Sequence, residues 1–179
     1  MSLLILECTP EEDNYREGLI LEEFLGITDP KLTEFVEIRD DQDLLDVLED
    51  ERYLEDFEII HLSGHGVVED DIGAFLLPDG EEMYPEDFPE FCFAGKTVSL
   101  SACQLGRVQA FCDPLADQTD VKNIIAPQRE VEFIDAAVWF VNFYYFLLMH
   151  RTRVTTAFDK TQDHLEGKVH GAFRLWQYE

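Results

Sequence analysis

Residues 58–70 read EIIHLSGHGVVED, and the interpretation of this stretch decides what kind of chain this is. FEIIHL (57–62) reads as a short apolar strand, after which the chain breaks into Ser63-Gly64-His65-Gly66. A titratable ring between two glycines at the end of a strand is an unusual structural choice. Gly64 and Gly66 are expected to let the chain turn sharply and pass close to a ligand. A second stretch, VSLSACQLG (98–106), places Cys103 after another strand, 38 residues beyond His65.

Working outward, the pattern is strand, helix, strand, helix, strand. LLIL (3–6) predicts a buried strand. TPEE follows, with Thr9 as N-cap, Pro10 at the first helical position and Glu12 closing a capping box. The helix is expected to continue through NYREGLILEEFL (14–25). EFVEI near Val36 predicts a second strand. DDQDLLDVLED predicts an Asp-capped helix with Leu44, Leu45, Val47 and Leu48 inward. GAFLLPDGEEMY (73–84) predicts a hairpin turning at Pro78-Asp79-Gly80. KTVSLSAC, then VKNIIAP ending at Pro127, are further strands. Helices are expected from Glu132 to His150 and from Val154 to Leu165, and GAFRLWQY is a closing strand. This alternation predicts a single α/β domain over residues 1–179, with a mostly parallel central sheet and helices on both faces. In such sheets working residues gather beyond the carboxyl ends of the strands. His65 and Cys103 share one edge if their strands are neighbours.

Composition narrows the function classes. The 179 residues include 46% hydrophobic residues, enough for a real core. The net charge is −26, of which −24 falls on residues 1–106, a field that repels nucleic acid and anionic membrane. It suits a solvated acidic surface or a basic partner. MSLLILECTP lacks the basic start of a signal peptide. The longest apolar run, Ala136–Met149, spans 14 residues, short of a membrane span. Cys8, Cys92, Cys103 and Cys112 form no C-x-x-C pair, which fits free thiols in a reducing cytoplasm.

A cysteine becomes a nucleophile when an imidazole beside it takes its proton. His65 and Cys103 can form such a pair, and the amides near Gly66 and Cys103 can hold an oxyanion. Asp70, Asp71, Gln104 and Asp113 are candidates for lining the site, with Asp113 and Cys112 expected in a loop after the nucleophile. His61 is expected to be structural. His61 and His65 have an H-x-x-x-H spacing, which binds zinc on a helix but not on a strand running into a turn. No metal and no organic cofactor are expected.

HLSGHG followed by a hairpin and VSLSACQLG resembles the caspase-like cysteine peptidases, specifically the CHAT branch related to separase. DVKNIIAP, DAAVWFVNFYYFLL and RVTTAFDKTQDHL are similar to the half of those domains that follows the cysteine. The resemblance implies a caspase-like three-layer sandwich, with His65 as base and Cys103 as nucleophile of a peptidase acting on a protein or peptide. In this family an activator or target protein is common, and so is a link to bacterial defence or programmed death. The sequence departs from caspases in carrying Ser101-Ala102-Cys103 where they carry Gln-Ala-Cys, and in a shorter His–Cys interval. A preference for aspartate is therefore not implied, and Ser101 is expected to leave the specificity pocket uncharged. Two other readings stand beside it: the same fold with an idle pair, binding a partner through its acidic face, and an acidic decoy of a basic protein.

Overall fold

The computed structural model describes residues 1–13, 16–27 and 31–179. A six-stranded sheet forms the middle layer, in the order β2 (Thr33–Glu37), β1 (Leu3–Glu7), β3 (Ile59–Ser63), β7 (Thr97–Ser101), β8 (Asn123–Pro127) and β9 (Phe173–Gln177). All pairings are parallel except β8 with β9. The four inner strands are buried at every position. Such near-continuous apolar runs are what a sheet covered on both faces requires.

Two apolar cores lie on opposite faces of the sheet. On one, Leu4, Leu6, Ile60, Leu62, Val98 and Leu100 meet α2 (Asp41–Leu48), α3 (Glu51–Leu54) and α4 (Gln109–Thr119). On the other, Leu3, Ile5, Ile59 and Ile125 meet α1 (Glu17–Gly26), α5 (Phe133–Tyr144) and α6 (Val154–His164). The result is a three-layer α/β sandwich. Trp139 stacks on Phe173 at 4.2 Å and on Phe143 at 5.4 Å, so the aromatic run is core. Among the described residues no helix is long and apolar enough to cross a membrane. α5 continues from Tyr145 to Met149 as one π-helical turn. Asp40 caps α2 by accepting from the Asp43 amide at 2.9 Å, and Leu44 and Leu48 are buried.

A second, three-stranded antiparallel sheet of β4 (His65–Glu69), β5 (Ile72–Leu76) and β6 (Glu82–Met83) stands beyond the end of β3. The expected turn at Pro78-Asp79-Gly80 joins β5 to β6, closed by Gly80 N–H donating to the Leu77 carbonyl at 3.0 Å.

Four local expectations are corrected. Thr9 does not cap a helix: its hydroxyl donates to the Glu7 carboxylate. A 3₁₀ turn spans Glu11–Asp13, and α1 begins at Glu17. Residues 14 and 15 of the expected helix lie outside the described residues. His65 opens strand β4 and is not part of a pliable loop. Cys112 and Asp113 lie on α4 and not in a loop.

The chain order produces a switch point. β1 leads through α1 to β2 on one side, whereas the next crossover passes back over β1 to β3 on the other. Segments leaving β1 and β3 therefore diverge at their carboxyl ends, where open α/β sheets form their sites.

Candidate active site

The ends of three strands align in register: Glu7 beside Ser63, and Ser63 beside Ser101. His65 and Cys103 each lie two residues past their strand ends. Both line the same open cleft of about 580 Å³, together with Arg129, Glu130, Val131, Glu132, Phe133 and Asp135. They also flank a small cavity of about 30 Å³ between Gly64, Ser101, Pro127, Val131 and Phe133. The expectation that the two side chains open on one edge is met.

The His65 ring makes its hydrogen bond elsewhere than the thiol. Its Nε2 lies 2.6 Å from Asp13 Oδ2, and Phe133 packs edge-on against it at 5.3 Å. That contact leaves Nδ1 as the nitrogen available to a thiol or substrate. An acid on one imidazole nitrogen fixes tautomer and orientation and supports a positive ring. Asp13 was not singled out in the sequence, where it is one of three consecutive acids, 52 residues before His65.

Cys103 is half-buried, and its thiol sits on the wall formed by the segment after β8. It donates to the Val131 carbonyl at 3.5 Å, and the Val131 amide approaches the sulfur at 3.5 Å. No hydrogen bond joins His65 to Cys103 among the described residues. Such contacts often tighten only when substrate is present. The other thiols differ from Cys103 in being buried. Burial pushes the Cys92 and Cys112 thiols up to about 12 and Cys8 well above its usual range.

The glycines flanking His65 serve packing. Neither has a positive φ. A Cβ on Gly66 would stand 2.3 Å from the Cys103 carbonyl oxygen, and one on Gly64 would stand 2.6 Å from the Phe75 ring. The close approach at Gly66 is to the chain's own Cys103 segment. Gly66→Ala is expected to cost about 2–3 kcal/mol by overpacking and to displace Cys103, read as a lowered urea midpoint together with a changed Cys103 alkylation rate. A midpoint within experimental error of the parent would contradict this close fit.

Of the remaining candidates, Gln104 adopts a left-handed φ of 65° immediately after Cys103, which turns the chain sharply. Its amide donates to the Arg129 carbonyl and its side chain to Glu130, so it braces the cleft wall. Asp70 and Asp71, with φ of 48° and 64°, form the tip of the β4–β5 hairpin at the far end of β4 from His65. Asp113 is engaged by Gln109 and by Tyr178 on the α4 side. None of these three acids lines the cleft. Its acids are Glu130, Glu132 and Asp135, which the sequence reading did not single out.

Ser101 is buried and faces inward, where its hydroxyl donates to Glu17 at 2.5 Å. Below it, His61 is fully buried, 2.9 Å from the Tyr144 hydroxyl through Nδ1 and edge-on to Phe140. Burial holds His61 down at about 3, so it is neutral and structural. The rings of His61 and His65 thus face different partners. Among the described residues no three His, Cys, Asp or Glu side chains cluster as metal ligands would.

Compared with known proteins, the chain matches no family model and no curated protein.

Proposed function

We propose that this chain is a cysteine peptidase of the caspase-like, CHAT type, in which Cys103 attacks a peptide carbonyl and His65 manages the proton. The observation that carries the reading is the convergence of His65 and Cys103 on one cleft from the ends of β3 and β7, with Asp13, from the segment after β1, bonded to the far side of the His65 ring. Asp13 holds Nε2, and Nδ1 takes the thiol proton. The thiolate sulfur then bonds to the carbonyl carbon, and the carbonyl electrons move to oxygen. Backbone amides at Gly66 and Cys103 are the proposed oxyanion donors. As the tetrahedral intermediate collapses, the C–N bond breaks and the imidazolium protonates the leaving amine. Water, deprotonated by His65, then hydrolyses the thioester and returns the thiol. The chain uses no cofactor in this scheme. A reducing compartment such as the cytoplasm suits its four unpaired cysteines. An activator or target protein, and a role in defence or programmed death, belong to the same reading.

The charge of the cleft supports a substrate with basic residues beside the cleaved bond. Glu130, Glu132 and Asp135 face it, with Arg129 and the His65 imidazole as the basic groups of the lining, and Asp13 adds a fourth acid behind His65. These groups act within a Debye length of about 8 Å, unlike the global −26 field, which acts mainly on encounter rate. Cleavage of a peptide library is expected to favour Lys or Arg near the scissile bond, by a margin that narrows as salt rises. The triple change Glu130→Gln, Glu132→Gln, Asp135→Asn is expected to reduce that selectivity about tenfold, as three exposed pairs at 0.2–1 kcal/mol each suggest. No cleavage of any peptide by the parent would refute the peptidase, and cleavage indifferent to charge would refute the substrate class alone.

The idle-pair reading, a binding module of the same fold, predicts no effect of His65 on Cys103 chemistry.

A further inference from the structure

Beneath the cleft lies a carboxyl group that the proposed chemistry does not use. Glu17, on the first turn of α1, is 1% exposed. One oxygen, Oε2, accepts from Ser101 Oγ at 2.5 Å and from Ser63 Oγ at 3.4 Å. These serines end β7 and β3, two residues before Cys103 and His65 respectively. Among the described residues the other oxygen, Oε1, has no hydrogen-bond partner, and it lies 3.8 Å from His61 Nε2, which also has none. Four structural elements thus meet at one side chain: α1, β3, β7 and, through His61 and Tyr144, α5.

An acid is a costly choice for a mere brace. Leu21 and Leu25 share its buried stripe and show what an apolar residue would do there. The serine hydroxyls at the ends of these adjacent parallel strands both donate to the one carboxyl oxygen, which bridges them. We propose that Glu17 is a positioning residue for the candidate catalytic pair: its carboxyl, clamped between Ser63 and Ser101, sets the spacing of the two strand ends that carry His65 and Cys103. The inference rests on the peptidase reading for its purpose, though not for its test.

The charge state of the clamp follows from its surroundings. The groups facing Glu17 are Glu7 from β1, neutral His61 and Ser63 from β3, Ser101 from β7 and Tyr144 from α5. None is a cation. Burial is the main cause, and the Glu7 carboxylate adds to it, so Glu17 is pushed up to about 8 and is protonated at neutral pH. Its proton is then free to point at His61 Nε2. Ionisation in mildly alkaline solution puts a negative charge on the carboxyl bonded to Ser101, two residues before Cys103, and like charges on neighbouring groups repel.

The test follows the rate of Cys103 alkylation by iodoacetamide between pH 6 and 10 in the full chain. Glu17→Gln keeps an acceptor for the serines and cannot ionise. It is expected to retain the parent rate within about twofold at pH 7, and to exceed the parent at pH 9 by threefold or more. Glu17→Ala is expected to slow Cys103 about tenfold at pH 7. If that variant fails to fold, Ser101→Ala, which opens the clamp from the other side, is expected to slow Cys103 several-fold. Parent-like rates and pH profiles in Glu17→Ala or Ser101→Ala would overturn the proposal, as would a Glu17→Gln profile superimposable on the parent's. These rates are measurable whether or not the parent cleaves peptides, so a failed peptidase reading would show in the cleavage assay and not here.

Discussion

Brief iodoacetamide treatment at neutral pH is expected to label Cys103 and to spare Cys8, Cys92 and Cys112. For thiols near 12, the reactive thiolate is about one part in 10⁵ at pH 7, against about 3% for an ordinary thiol near 8.5. That ordering follows from burial alone, so it does not by itself establish a nucleophile. The informative comparison is His65→Ala, which is expected to slow Cys103 labelling at least tenfold and to reduce peptide cleavage by about 10²–10⁴. Asp13→Asn, which keeps the shape of the Nε2 partner but replaces its carboxylate with a neutral amide, should fall between the parent and His65→Ala. Cys103→Ala should abolish cleavage. Should Cys103 label equally fast with and without the imidazole, the pair is idle and the binding-module reading takes its place.

A second large effect is expected in stability against pH. Glu17 ionises near 4.5 when unfolded and near 8 when folded. Below 4.5 both states hold the proton, and the group contributes nothing to the balance. Between 4.5 and 8 the unfolded state releases the proton while the folded state keeps it, so stability falls as pH rises. At pH 7 the penalty is about 3 kcal/mol, from about 2.5 units at 1.36 kcal/mol each. Glu7, raised from its usual value by burial, adds to the slope in the same direction. Glu17→Gln should therefore be more stable than the parent at pH 7–8 and less sensitive to pH between 5 and 8. Urea unfolding at pH 5 and pH 8 measures both. Parallel pH curves for the two proteins would show that Glu17 is charged in the folded state.

The strands that build the sheet were legible because each inner strand is a short apolar run bounded by turn residues, and burial on both faces demands that pattern. The hairpin at Pro78-Asp79-Gly80 was legible from turn chemistry. β4 was hidden because Gly64-His65-Gly66 reads as a loop, and because its hairpin turns on Asp70-Asp71, not on the asparagine–glycine pair that signals such turns. α4 was hidden by Asp113-Pro114, since proline disfavours a helix interior. Burial of Phe111, Cys112, Leu115 and Ala116 outweighs that local preference.

Within the site, His65 and Cys103 stood out as chemistry-bearing residues at strand ends. Asp13 did not, because nothing local separates it from Glu11 and Glu12 in the sequence; only the fold brings it to the ring. Glu17 left a trace that could have been read: it shares a 4-residue spacing with Leu21 and Leu25, which places an acid on the buried stripe of α1. The cleft acids were invisible for another reason, since they lie on the segment after β8, far in sequence from both His65 and Cys103.

The wall of the cleft also sets a timetable. Residues 128–129 of that wall are pinned by the segment that enters β9: Gln128 N–H donates to the Ala172 carbonyl and Arg129 to the His170 carbonyl. Cys103, His65 and Asp13 are all made before the residues that hold this wall in place. At about 5–20 residues per second, the interval between Cys103 and Phe173 lasts several seconds on the ribosome. Throughout that interval the nascent chain carries its thiol and imidazole without a finished cleft, and the wall beside them is pinned only as β9 docks.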